Sequence, residues 1–142
     1  MNNTIHSSDD FEGMRKAGNL AASTLDLLVE KVKPGVSTEE LDNIAFDYIV
    51  RHGGLIAPLF YKGYPKSVCT SINHVICHGI PSSRILENGD IVNIDVTVIV
   101  DGWHGDTSRM FPVGKINAKA QKLIDCTFHA MHEGINAAQP DA

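Results

Sequence analysis

Two stretches near the start of the chain repeat apolar residues at the spacing of an amphipathic helix. In the first, the apolar positions run between residues 11 and 32 and stop before a Pro-Gly pair at 34–35. The second begins with Ser37 and Glu40, which are spaced as a capping box, and its apolar stripe stops at a Gly-Gly pair at 53–54. The pattern predicts two helices whose apolar faces join one core.

Residues 55–83 follow no helical period. Pro, Gly, Tyr and Ser surround two short β-prone pieces at residues 68–72 and 75–77. An irregular stretch of this composition usually builds a site, because binding groups are often carried on loops. We therefore expect functional side chains here.

A third helix is predicted from near Asn117 to about Gly134, where a glycine is typical of a helix end. Its apolar face is expected to belong to the core and contains Ile124, Thr127, Phe128 and Met131. The chain has no internal repeat and no low-complexity segment, so residues 1–142 are expected to form one domain.

The strongest local signal is a β-hairpin between residues 91 and 113. Two β-prone runs flank an Asp-Gly pair at 101–102, which suits a two-residue type I′ turn. Because paired residue numbers then keep a constant sum, Thr97 faces Asp106 across the hairpin. Asp95 becomes the diagonal neighbour of Asp106, with Cβ atoms about 7 Å apart or somewhat less. The opposite, core-facing side of the first strand is expected to contain Val92, Ile94, Val96, Val98 and Val100.

Two interpretations of this aspartate pair are open. Neighbouring ionised carboxylates repel each other, which raises the pKa of one unless a cation neutralises them. A divalent metal would remove the conflict. Alternatively, Asp95 is a solvated strand residue and Asp106 a polar residue near the turn. The apolar surroundings of Asp95 favour the metal modestly, because an unpaired buried carboxylate is costly.

Composition and charge limit the partners. The net charge of −5 and the lack of a basic run argue against binding to nucleic acid or to an anionic membrane. We see no apolar stretch long enough for a membrane span and no signal peptide near the N-terminus. The three cysteines have no CxxC spacing, which favours reduced thiols and a cytoplasmic protein.

Four ordered segments resemble the consecutive signatures of type I methionine aminopeptidases. They are YKGYPKSVC at 61–69, CHGIP at 77–81, NGDIVNIDV at 88–96 and GDTSRMF at 105–111. The resemblance implies an α+β pita-bread fold, of which this chain would be the N-terminal half, with an antiparallel sheet backed by amphipathic helices. It also implies that the domain is truncated before its second half.

The resemblance assigns roles to individual residues. In the family, the first aspartate of the hairpin binds one metal ion and the second bridges two, which corresponds to Asp95 and Asp106 here. His78 matches the histidine that contacts the scissile peptide bond. The positions that line the family's methionine side-chain pocket correspond to Tyr61, Tyr64 and Cys69.

The implied reaction is the metal-assisted hydrolytic removal of the initiator methionine from nascent polypeptides. The complete family site uses two divalent ions, and cobalt, manganese, iron or zinc suits its ligands. Proximity to the ribosome is a further expectation. Family members are usually monomeric, and self-association of this half stays open.

Three departures from the family pattern affect these expectations. His74 stands where an acidic residue is common, and Pro58 occupies a position near the pocket where a small residue is expected. The family's second half supplies a histidine and two glutamate ligands, so we expect weak or no activity from these 142 residues alone. Noncatalytic binding modules of the same fold and a marginal remnant with an exposed sheet face are the alternatives. His104 shares a face with Asp106, although a solvent-facing turn residue is the preferred interpretation.

Overall fold

The computed structural model describes residues 5–140, which form helices around one antiparallel sheet. In chain order the elements are α1 (Ser8–Leu28), α2 (Thr38–Arg51), β1 (Leu55–Ile56), a 3-10 turn (Tyr61–Gly63), β2 (Cys69–Ile72), β3 (Ile91–Val100), β4 (Trp103–Pro112) and α3 (Ala118–Ala137). This order confirms the predicted α+β class, and helices α1 and α2 back the sheet as expected.

Local sequence signals set the ends of the first two helices. At α1, Ser7 and Asp10 form a reciprocal capping box, with the Asp10 carboxylate accepting from the Ser7 backbone N–H at 2.7 Å. The helix ends at Leu28, although Val32 at the end of the predicted stripe is still buried. Ser37 caps α2, because its hydroxyl accepts from the Glu40 backbone N–H at 3.1 Å. The predicted capping box is only half formed, since the Glu40 side chain makes no return bond to Ser37.

Strand β3 is the centre of the sheet. It pairs with β4 along one edge and with β1 and β2 along the other, always antiparallel. Asp101 and Gly102 both have positive φ, as a type I′ turn requires. The hairpin has the predicted register, with Thr97 opposite Asp106.

The core lies between one face of the sheet and the helices α1 and α2. Its fully or nearly fully buried members include Leu25 and Leu28 of α1, Leu41 and Ile49 of α2, and Val92, Ile94, Val96 and Val98 of β3. The predicted inward face of β3 is thus confirmed, except that Val100 beside the turn is only partly buried. Asp95 therefore lies on the opposite, open face.

Helix α1 is seated directly on β4 at Gly105. A Cβ atom at this glycine would lie 2.5 Å from the backbone nitrogen of Gly18 and closer still to the carbonyl group of Ala17. No side chain fits between the two backbones. Glycine is therefore required at the position next to Asp106, and the helix supports the hairpin from behind.

Three predictions were wrong: the strand at residues 75–77, the end of the third helix at Gly134 and the burial of that helix's apolar face in the core. Residues 75–77 form no strand, because the chain turns at Asn73, whose φ is 53°, and leaves the edge of the sheet. Helix α3 continues through Gly134 to Ala137 and buries none of its residues. A glycine inside a helix costs only about 1 kcal/mol, so it need not end one. Phe128 and Met131 are each half exposed, because the stripe finds no partner within residues 5–140.

Candidate functional site

A cavity of about 840 Å³ opens on the face of the sheet opposite the core. All six site residues predicted from the sequence line it, namely Tyr61, Tyr64, Cys69, His78, Asp95 and Asp106. They come from four separate parts of the chain: the 3-10 turn with the residue after it, strand β2, the loop after β2, and the hairpin. The fold therefore gathers residues that are up to 45 positions apart in sequence.

The two aspartates interact electrostatically across the hairpin. Burial and then the neighbouring Asp106 charge raise the pKa of Asp95, while the His78 ring acts in the opposite direction. Thr97 donates from its hydroxyl to Asp106 Oδ1 at 3.0 Å and so orients that carboxylate. The pair therefore concentrates negative charge that the His78 ring offsets only in part.

This donor set fits a divalent cation, though only in part. Carboxylate oxygens are ligands that divalent metals commonly use, and a cation between the two groups would remove the repulsion that raises the Asp95 pKa. Within the described range, 5–140, no group of three or more His, Cys, Asp or Glu side chains is placed to hold a metal. These residues thus offer two carboxylate ligands, with His78 nearby.

The wall of the cavity beside the carboxylates is uncharged. Burial raises the pKa of both Tyr64 and Cys69, so the phenol and the thiol stay protonated at neutral pH. The Tyr64 hydroxyl donates to the carbonyl of Val68 at 2.9 Å. Tyr61 is 65% exposed and stands at the rim, with the Lys62 ammonium 5.4 Å from its ring centre.

His78 is presented by a backbone that is fixed against strand β2. Its φ is 55°, in the left-handed region. The next residue, Gly79, accepts from the Thr70 backbone N–H at 2.7 Å and donates to the Ser71 hydroxyl at 3.1 Å. A Cβ at Gly79 would lie 2.8 Å from the Thr70 carbonyl carbon. Glycine thus permits the close approach that holds His78 at the cavity.

Further residues at the cavity were not among the predicted site residues. His104 is exposed and lines the cavity on the same strand as Asp106, so it belongs to the site and not only to the turn. Thr97 could have been found from the register, because the turn sets it opposite Asp106. Pro58 lies at the cavity as expected, whereas His74 lines two other depressions in the surface.

Among residues 5–140, we find no helix with the length and apolar character of a membrane span.

Comparisons with known proteins place the chain among the metallopeptidases. Residues 12–142 match metallopeptidase family M24. The chain is 56% identical over 138 residues to the methionine aminopeptidase of Rickettsia prowazekii, covering 97% of this chain and 53% of that protein. It is 52% identical over 139 residues to the Escherichia coli K12 methionine aminopeptidase, covering 96% and 53%. The chain spans about half the length of these relatives.

The solved structures identify the fold. The crystal structure of the Rickettsia prowazekii methionine aminopeptidase superposes with a TM-score of 0.92 at 57% identity, over 93% of this chain and 53% of that one. The methionine aminopeptidase of Thermotoga maritima also gives 0.92, at 25% identity, over 96% of this chain and 55% of that one. The pita-bread fold expected from the sequence is thereby confirmed. Sequence and structure together show that the chain belongs to metallopeptidase family M24.

Proposed function

We propose that the chain takes part in the hydrolytic removal of N-terminal methionine from nascent polypeptides. This is the activity named for the relatives of which the chain covers about half. One observation carries the proposal: a single cavity joins a carboxylate pair, a histidine and an uncharged wall. A metallopeptidase that is specific for an apolar first residue needs these three groups in one site, because it must bind the side chain and the metal next to each other. The substrate implies a cytoplasmic protein that acts close to the ribosome.

The uncharged wall is suited to the methionine side chain. Tyr64 and Cys69 stay neutral because burial raises their pKa values, so no charge has to be desolvated when an apolar chain enters. A thioether also makes favourable contacts with aromatic rings, which Tyr61 and Tyr64 supply. The substrate's first residue would lie here, with its peptide bond toward the open face of β3 and β4.

The hairpin carboxylates suit the metal end of the cavity. Asp95 and Asp106 would hold divalent metal, two ions in the complete site, from among cobalt, manganese, iron and zinc. When bound, such ions polarise a carbonyl group and lower the pKa of water. Thr97 keeps Asp106 oriented through their 3.0 Å hydrogen bond. His78, across from the carboxylates, would stabilise charge on the oxygen of the scissile peptide bond.

A second function is favoured by one specific observation. Over residues 5–140 no third metal-ligating side chain joins the two carboxylates. Two ligands hold a divalent ion weakly, because affinity depends on ligand number and on support around the ligands. On this alternative, the 142 residues bind an N-terminal methionine without cleaving it.

Nuclear magnetic resonance on the ¹⁵N-labelled chain tests the proposal. Titration with methionine amide should shift the backbone signals of Tyr64, Cys69 and His78 first, whereas glycine amide at equal concentration should not. Shifts centred on α3, or equal shifts from methionine amide and glycine amide, would show that the cavity is not a methionine pocket.

An activity assay separates the two functions. Methionine release from a Met-Ala-Ser peptide is followed with added manganese over a series of protein concentrations. Concentration-independent specific activity supports a catalytic chain. Methionine binding without release supports the noncatalytic alternative, and activity that rises with the square of concentration indicates self-association.

A further inference from the structure

A buried carboxylate on helix α2 supports the cavity from behind and has no role in the chemistry above. Asp42 is 4% exposed, and its Oδ1 accepts from the backbone N–H groups of Ser67 at 2.7 Å and Val68 at 3.0 Å. A buried carboxylate is costly unless hydrogen bonds compensate it. Here the compensation comes from the loop that leads to the cavity, residues 64–69, which we call the wall loop.

A second contact ties the same loop to the same helix. The Lys66 ammonium lies 2.7 Å from Glu39 Oε1, and Glu39 precedes Asp42 by three residues. Residues three apart in a helix share a face, so both ties point toward the wall loop. The Lys66–Glu39 pair is partly exposed and contributes little by itself. Asp42 is therefore the stronger of the two anchors.

Direct hydrogen bonds lead from this anchor to the site. Val68, whose N–H is held by Asp42, accepts from the Tyr64 hydroxyl at 2.9 Å through its carbonyl. The same hydroxyl lies 3.2 Å from the carbonyl of Gly79. One proton cannot serve both carbonyls fully, so the shorter bond dominates and Gly79 receives a weaker share. Gly79 is the neighbour of His78.

We propose that Asp42 is a positioning residue for the site. By fixing the two amides of the wall loop, it sets the place of Tyr64 and, through the Gly79 carbonyl, the backbone that presents His78. Asp42 itself touches no substrate. The inference rests on the proposed function only in naming methionine as the ligand of the wall.

The chain offers variants that separate positioning from general stability. Asp42→Ala removes the acceptor, while Asp42→Asn keeps one acceptor oxygen and replaces the other oxygen, with its charge, by an NH2 group. Leu28→Ala is the matched control, because Leu28 is fully buried at the end of α1 and takes no part in these hydrogen bonds. Tyr64→Phe interrupts the path beyond Val68 and is informative even if Asp42→Ala does not fold.

Two readouts report on the site in folded protein. The first is the chemical shift of the Tyr64 and His78 ring protons. The second is the rate at which iodoacetamide labels Cys69, which is buried at the end of the wall loop. In Asp42→Ala both should change, with labelling at least about tenfold faster, because two hydrogen bonds to a charged group are lost. Asp42→Asn should restore both, and Tyr64→Phe should move the His78 signals while leaving the Ser67 amide unchanged.

Several results would overturn the positioning role. Unchanged Tyr64 and His78 signals in Asp42→Ala would do so, as would equal changes in Leu28→Ala. Unmoved His78 signals in Tyr64→Phe would break the proposed path even without the alanine variant. The titration with methionine amide distinguishes this failure from that of the proposed function. If methionine amide shifts no signals of the wild-type protein, but Asp42→Ala still shifts the ring signals of Tyr64 and His78, the proposed function is wrong and the positioning role stands.

Discussion

The contact between helix α1 and strand β4 makes Gly105→Ala an informative perturbation. The new Cβ would lie 2.5 Å from the Gly18 nitrogen, whereas ordinary van der Waals contact begins at 3.4 Å, so the helix must move by about 0.9 Å or more. The clashing atoms belong to the backbone of residues 17 and 18, and no side-chain rotation relieves them. The strain must therefore be taken up by the whole interface.

The expected loss is large for a single methyl group. Overpacking a core costs typically about 1–3 kcal/mol, and a backbone-to-backbone clash belongs at the upper end, about 3 kcal/mol. This is a substantial part of the roughly 5–15 kcal/mol that stabilises an ordinary domain. For a chain of this size the melting temperature should fall by roughly 10 °C.

A second glycine in the same interface provides the control. Gly18 lies within α1, and a Cβ there would meet nothing within 4 Å. Gly18→Ala should therefore stabilise the protein by about 1 kcal/mol, because alanine favours the helix over glycine. Urea unfolding followed by circular dichroism measures both changes. A loss below about 1 kcal/mol in Gly105→Ala would refute the seating of α1 on β4.

Three further outcomes are expected. Ser37→Ala should lower the free energy of unfolding by about 1 kcal/mol in urea titrations, because the cap of α2 is lost. Iodoacetamide at neutral pH should label exposed Cys77 well before buried Cys69, whose raised pKa delays thiolate formation to higher pH, and equal rates by mass spectrometry would contradict this burial. Thr97→Val should weaken manganese binding about tenfold in calorimetry, since Asp106 loses its orienting partner, and an unchanged affinity would remove that role.

The hairpin shows what local sequence can determine. An Asp-Gly turn fixes a constant sum of paired residue numbers, so the register and the shared face of Asp95 and Asp106 follow directly. Helix α3 shows the limit. The helical period marks an apolar face, but it does not show whether another element covers that face, and α3 buries none of its residues. The predicted strand at residues 75–77 was wrong for a similar reason, because β propensity does not show whether a neighbouring strand is available for pairing.

The site was only partly accessible from sequence. The family resemblance identified six of the residues that line the cavity, and the hairpin register could have identified Thr97. The link between Asp42 and the amides of residues 67 and 68 spans 25 and 26 positions, and no local period or spacing connects them. The protonated state of the Tyr64 and Cys69 wall also depends on burial, which only the folded chain reveals.

Paramagnetic NMR tests the carboxylate pair most directly. Manganese added in substoichiometric amounts broadens the amide signals nearest to the bound ion. The amides of Asp95, Thr97 and Asp106 should disappear first, and Asp106→Asn should abolish this selective loss. Broadening centred elsewhere on the surface, or selective loss that persists in Asp106→Asn, would contradict a divalent-metal site on the open face of the hairpin.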